Sequence, residues 1–163
     1  MFLAACARAG TVLPEVGIDY HCFDLRDLCN LGKSLLPEVK FHYEEGDIQG
    51  KTFDLVVSSS SLHYFENWRE TARKLASAVR GVLYFARLQT VFSTPSFVAV
   101  HKPNLPDYTD FLSWCLNRQE LLSCMEESGM KLLREFVYAG SWVVRGAPEN
   151  PEERGFLFRP QCR

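Results

Sequence analysis

Apolar positions along this chain follow two alternating periods, one near 3.6 residues and one near 2. Residues 1–9 are apolar-rich and helix-permissive. Ile18–Phe23 (IDYHCF) reads as a strand. Leu25, Leu28, Cys29, Leu31, Leu35 and Leu36 recur at helical spacing over residues 25–36, and Pro37 ends that helix. Val39–Tyr43 (VKFHY) alternates like a strand and runs into the turn EEGD. Phe53–Val57 is a short buried strand. Glu66–Ala78 carries Trp68, Ala72, Leu75 and Ala76 on one side, with Val79 following, as an amphipathic helix does. Gly81–Leu88 is a further strand, and Phe97–His101 is a short extended piece between Pro95 and Pro103. The clearest helix is Asn117–Ser128. Asn117 is placed to cap it, Glu120 to complete a capping box, and Gly129 to close it. Lys131–Tyr138 and Arg154–Arg159 are two late strands, the second preceded by the turn-rich GAPENPEE.

Helices and strands in this order predict an α/β protein, an open sheet wound with helices on both faces. Ligands in such sheets bind beyond the carboxyl ends of the strands. That rule draws attention to FDLVVSSSSLHYFENW, Phe53–Trp68, where a buried strand stops in four serines, Ser58–Ser61. Small side chains there let a ligand approach the backbone, and each hydroxyl donates or accepts a hydrogen bond. A serine-rich turn that caps the next helix has the same appearance.

Composition narrows the picture. The chain has 163 residues, enough for one domain with a single core over 1–163. Apolar content of 47% and charged content of 23% are those of an ordinary globular protein. The net charge of −2 and the lack of long Lys/Arg runs advertise neither a nucleic-acid groove nor an anionic membrane surface. No apolar run approaches the roughly 20 residues that span a bilayer. The start MFLAACARAG has the look of a short signal core, but its basic residue, Arg8, follows the apolar stretch instead of preceding it. The six cysteines form no CxxC and no zinc-finger spacing. They read as small buried residues in a reducing compartment, which makes the cytoplasm the expected location.

Two more strand ends carry acids. Asp24 follows IDYHCF, where a carboxylate can accept from both hydroxyls of a ribose, or cap the following helix. Asp47 follows VKFHY after a short turn, with Ile48 beside it. There the acid can take an adenine amino group while Ile48 covers a ring face, or Asp47 can serve as a turn acid next to Gly46. Asp24, Asp47 with Ile48, and Ser58–Ser61 together point to a nucleoside-bearing ligand. GxG does not occur anywhere.

These features resemble the Rossmann-fold, S-adenosylmethionine-dependent methyltransferases. HCFDL resembles their second strand with its ribose-binding acid, EEGDI the end of the third, and FDLVVSSSSLHYFENW the fourth strand and its loop. LSWCLNRQELLSCMEESGMKLLREFVY resembles the final helix, glycine and sixth strand. Together with RGFLFRP, the combination is most similar to methyltransferases associated with bacterial surface-polysaccharide gene clusters. The resemblance covers roughly residues 1–160. It implies the sheet order 3-2-1-4-5-7-6, a mostly parallel, doubly wound sheet with an antiparallel C-terminal strand pair. The family opens on a central strand ending in a glycine-rich turn. Neither is found here, so the first central strand is expected to be absent and the chain to be an N-terminally truncated methyltransferase-like domain.

The resemblance implies S-adenosylmethionine as cofactor and a small-molecule or saccharide acceptor, while the charge and the short apolar runs lead to the expectation of no nucleic acid and no membrane insertion. It assigns Asp24 to the ribose hydroxyls, Leu25 to the adenine surroundings, Asp47 and Ile48 to the adenine, and Ser58, Ser59 and Ser60 to the methionyl portion. His63, just past the serines, is the candidate base, since histidine titrates in the useful range. Tyr64 is expected to pack on the sheet, and His21 and His42 to be satisfied histidines within strands. His101, Tyr108 and Trp114 fall where such enzymes bind acceptors. Two other readings remain: a noncatalytic remnant or interaction module that keeps the fold without the cofactor, and a nucleotide-binding oxidoreductase, which would need its own glycine fingerprint.

Overall fold

The computed structural model describes residues 17–102, 109–141 and 143–161. The expected helix over residues 1–9 and the position of Tyr108 lie outside the described residues. The chain divides into two compact units, one ending at Gly50 and one beginning at Lys51.

The smaller unit holds β1 (His21–Phe23), α1 (Arg26–Leu35) and β2 (Lys40–His42). The two strands pair in parallel, with Cys22 opposite Phe41. The crossover helix packs back on them through Cys29 and Gly32. A Cβ on Gly32 would run into the Phe41 ring, so only glycine lets the helix lie this close. The Cys29 thiol donates to the carbonyls of Asp24 and His42, which ties α1 to both strand ends. Strand β1 is shorter than its apolar run, because Ile18 is exposed.

The larger unit is a mixed sheet in the order β5-β6-β4-β8-β7, with β3 also paired to β4. Its strands are β3 (Phe53–Ser59), β4 (Val79–Val91), β5 (Phe97–His101), β6 (Phe111–Asn117), β7 (Met130–Ala139) and β8 (Glu152–Pro160). β3 and β6 run parallel to β4, while β8 runs antiparallel to it. β7 and β8 form the expected antiparallel pair. The pairings β2-β1 and β3-β4-β8-β7 are those the resemblance implies for strands 3-2 and 4-5-7-6. Helices α2 (Trp68–Ser77) and α3 (Arg118–Glu127) bury Trp68, Ala72, Ala76, Leu121, Cys124 and Met125 in one cluster with Leu83, Phe85, Phe156 and Phe158 of the sheet.

Three features differ from the sequence reading. β6 is a strand to which the sequence pattern assigns no element. Its apolar alternation is broken by Ser113, which is buried with its hydroxyl bonded to His101 and Gln89. β4 extends well beyond residues 81–88, because its ends are recruited by Phe53 on one side and by β6 and β8 on the other. The capping box at α3 is half present. Asn117 accepts from the Glu120 N–H at 3.0 Å, but the Glu120 carboxylate turns away to Ser96 and Arg69. The Asn117 N–H is instead satisfied by Ser96 Oγ at 2.8 Å.

The turn after β4 is fastened from a distance. Consecutive N–H groups of Phe92, Ser93 and Thr94 converge on the Glu149 carboxylate at 2.8–2.9 Å, and Thr94 Oγ1 joins them at 3.1 Å. Burial pushes the Glu149 carboxyl up, but those N–H donors outweigh it and hold the group below the usual carboxylate range. A folded-state value below the unfolded one means that this stability is present above the ordinary carboxylate pKa and is lost as pH falls through the lowered value. Glu149→Gln is expected to cost about 1.5 kcal/mol, the low end for charge-assisted bonds because the group is part exposed. The variant's deficit should shrink on acidification, as measured by urea unfolding at neutral and acidic pH. A deficit that does not change with pH would show that the charge is not what the turn requires.

Candidate functional site

The sequence-predicted residues are placed as follows. In the smaller unit Asp24 lies one residue past β1. Its own N–H donates to the His42 carbonyl at 3.1 Å, and its Oδ1 accepts from the Leu25 N–H at 2.8 Å. Leu25 occupies the N-cap of α1 and is 73% exposed. Asp24 therefore turns the chain into the helix without capping it across a turn. The rest of its carboxylate is open to solvent beside a bare leucine. Asp47 ends a 3-10 turn, Glu45–Asp47, with Ile48 after it half-buried. His21 Nδ1 and His42 Nε2 hydrogen bond to each other at 2.9 Å. Asp19 lies 3.4 Å from His21, and Asp47 lies 3.9 Å from His42. Both histidines are thus partnered within the unit.

In the larger unit β3 continues two residues beyond the expected strand and takes in Ser58 and Ser59. Ser58 is buried, and its hydroxyl meets that of Ser61 at 2.8 Å. Ser60 has φ +50°, a left-handed conformation that serine rarely adopts. Its N–H donates to the Ala86 carbonyl at 2.9 Å, so the kink sits on the end of the β3-β4 ladder. Arg87, directly across, has φ +59°. The β4-β8 register shifts between Phe85 and Leu88, which makes Arg87 the extra residue of a β-bulge. Left-handed backbone at two adjacent non-glycine positions is the kind of strain that gathers at functional sites.

Between these kinks lies a cavity of about 160 Å³ lined by Ser60, His63, Tyr64, Arg87, Gln89 and Glu153. His63 belongs to a 3-10 turn, Leu62–Tyr64, that follows the serines. The helix expected from Glu66 starts at Trp68, with Asn67 as its cap. His63 is only 2% exposed, and its Nδ1 is buried without a hydrogen-bond partner. Burial pulls its pKa down to about 4, with the nearby His101 working in the same direction. Arg87 donates through Nε to Glu153, so that wall carries one charge of each sign. Gln89 is buried and connects to His101 at 3.1 Å. His101 stacks on Phe111 at 4.8 Å, and Tyr64 stands edge-on to Phe111 at 5.7 Å. Tyr64, expected to pack against the sheet, is 50% exposed.

Arg87, Gln89, Phe111 and Glu153 were not anticipated. No glycine marks the bulge at Arg87, and Gln89 and Glu153 fall just beyond the expected strands, one past Leu88 and the other in the turn-rich GAPENPEE. His101 was legible, as a lone histidine in the stretch ahead of the final helix.

No protein-family model matches this chain, and no curated protein matches it in sequence. Solved structures do match. A SAM-dependent methyltransferase from Methanosarcina mazei superposes with a TM-score of 0.64 at 11% identity, over 88% of this chain and 82% of that one. A 1,6-didemethyltoxoflavin-N1-methyltransferase from Burkholderia thailandensis, with 1,6-didemethyltoxoflavin and S-adenosylhomocysteine bound, gives 0.61 at 12% identity, over 95% of this chain and 67% of the other. A pericyclic reaction enzyme gives 0.60 at 13% identity, over 96% of this chain and 40% of the other. Likeness at this level of identity establishes the fold, a mixed α/β architecture of the methyltransferase kind. The presence of a pericyclic enzyme among the matches means that the reaction has to be argued from the site.

His63 supplies a direct check on the site's electrostatics. A histidine whose folded pKa lies below its ordinary 6.5 leaves the unfolded chain binding more protons between about 4 and 6.5. Stability therefore rises with pH across that window, and the effect is complete above 6.5. The histidine ring resonances followed by NMR should show His63 neutral at pH 6, with its titration displaced toward pH 4. An ordinary titration near 6.5 would mean that the ring is solvated.

Proposed function

We propose that this chain is a S-adenosylmethionine-dependent methyltransferase domain acting on a small-molecule acceptor, in the cytoplasm. The observation that carries the reading is the cavity at the carboxyl end of β3, where a doubly wound sheet binds its ligands. Support for the cofactor comes from the chemistry of the residues present. In the smaller unit, Asp24 offers an exposed carboxylate at a strand end beside the bare Leu25, a fit for ribose hydroxyls and an adenine edge. Asp47 and Ile48 pair an exposed acid with a half-buried apolar side chain, which suits an adenine amino group and ring face. In the larger unit, Ser59 and Ser60 present small half-buried side chains, while the Ser58 hydroxyl is already engaged by Ser61.

When bound, this cofactor supplies a methyl group on a positively charged sulfur. The smaller unit's work would be to hold the adenosine by carboxylate acceptors, and the larger unit's to exclude water and take an acceptor in the cavity beside His63. Resemblance to methyltransferases of surface-polysaccharide clusters brings in a saccharide as one acceptor class, to be weighed against the chemistry of the cavity. The described cysteines, Cys22, Cys29, Cys115 and Cys124, are free thiols, in keeping with a reducing compartment. Among the described residues no helix is long and apolar enough to cross a membrane.

Calorimetric titration with S-adenosylhomocysteine tests the reading, and micromolar binding is expected. Asp24→Ala should weaken it by about 1.5–3 kcal/mol, the worth of a hydrogen bond to a charged group. A folded chain that does not bind S-adenosylhomocysteine would overturn the proposal in favour of a fold that has lost its cofactor. Binding with Asp24→Ala unchanged would remove Asp24 from the site.

A further inference from the structure

The state of the His63 ring constrains what the cavity can accept. A buried N–H left without a partner is rarer and costlier than a buried lone pair left alone. Nδ1, buried and unpartnered, therefore carries the lone pair, and Nε2 carries the hydrogen. In that tautomer Nε2 donates a hydrogen bond and does not take a proton, and His63 lines the cavity. With its pKa drawn down to about 4, the ring is also a poor base. An aliphatic hydroxyl, like water, gives up its proton only far above the range that such a ring can serve. A phenol, at about 10 like tyrosine, ionises far more readily.

The remaining walls add shape and charge. Arg87 uses Nε for Glu153, which leaves its terminal N–H groups as further donors. The pair sums to zero charge, so no fixed net charge attracts or repels a ligand. Tyr64 and Phe111 are 50% and 38% exposed and meet edge to face at 75°, an open aromatic corner next to the buried donor. The cavity, at about 160 Å³, is well below the 300 Å³ at which ordinary ligand pockets begin, so it holds a single ring.

We infer that this cavity binds a planar aromatic ring bearing a phenolic hydroxyl, with the ring against Tyr64 and Phe111 and the oxygen facing the donors of His63 and Arg87. A phenolate oxygen has lone pairs for both donors and one to spare. A ring nitrogen has a single in-plane lone pair, which the His63 N–H would consume. A sugar hydroxyl would need a base that the cavity lacks. Naming the ring as the methyl acceptor rests on the methyltransferase reading; its binding does not.

The test uses 4-nitrophenol as the probe, titrated by absorbance with and without saturating S-adenosylhomocysteine, and methyl glucoside as the control. The expected result is that 4-nitrophenol binds and methyl glucoside does not. The bound phenol should ionise at a pH at least about one unit below the free phenol. Tyr64→Ala with Phe111→Ala, both at exposed positions, should weaken binding at least ten-fold and leave S-adenosylhomocysteine affinity unchanged. Nitrogen-15 spectra of His63 should place the hydrogen on Nε2. Equal phenol affinity in the double variant, preference for methyl glucoside, no phenol binding in either condition, or a hydrogen on Nδ1 would each overturn the inference. Phenol binding by a chain that does not bind S-adenosylhomocysteine would overturn the methyltransferase reading and leave the aromatic site standing.

Discussion

The larger sheet depends on a single strand that serves three neighbours. β3 runs along the first part of β4, β6 joins the same edge at Thr90 and Val91, and β8 takes the opposite edge from Leu83 to Thr90. β3 and β6 run parallel to β4, and β8 antiparallel. The bulge at Arg87 lies where the β3 pairing gives way to the β6 pairing. It slips the β8 register by one residue and re-aims the strand between its β3-facing and β6-facing parts. Ser60 ends β3 opposite this bulge with a matching left-handed turn, and its N–H closes the ladder on Ala86. The cavity is the space that these two kinks leave. Its position follows from the strand pairing before any side chain is considered.

Polar groups buried along β4 and its neighbours follow from the same constraint. Gln89, Thr90 and Ser113 would be costly inside a sheet if left alone. They answer one another instead: Ser113 donates to Gln89, the Gln89 amide and the Ser113 hydroxyl both meet His101, and Thr90 donates to the Leu88 carbonyl. The His101 ring is thereby fixed and presses flat on Phe111, which in turn meets Tyr64. A hydrogen-bonded interior and an open aromatic corner are two ends of one connected set, and buried polar networks of this kind help to specify a unique geometry.

Much of the architecture was legible in the sequence because the deciding signals were local. The Asn117 cap, the Gly129 closure and the helical stripe of Leu121, Cys124 and Met125 define α3 within a dozen residues. The last two strands each carry Leu and aromatic residues among their charged ones, and they pair as expected. β6 escaped notice because its inward positions include Ser113, whose burial makes sense only with His101 and Gln89 in place. The cavity was half legible. Ser60 and His63 follow directly from a strand end, whereas Arg87, Gln89 and Glu153 reach it through a bulge that no glycine announces and a pairing with a strand far along the chain.

The absence of glycine at the two kinks is itself informative. Glycine would adopt φ near +50° to +60° without strain, whereas an ordinary residue gives up roughly 1–2 kcal/mol in the left-handed region. Both positions nevertheless carry side chains, and both side chains line the cavity. Arg87 is bound to Glu153, an attachment that a glycine would forfeit. Ser60 adds a hydroxyl at the strand end where the chain turns toward His63. A backbone shape that glycine would supply more cheaply, held at two facing positions by residues with polar side chains, indicates that the side chains are required for something other than the fold. With the cavity between them lined by a neutral, buried imidazole and flanked by two exposed rings, that requirement is most directly the recognition of a small, flat, oxygen-bearing ligand.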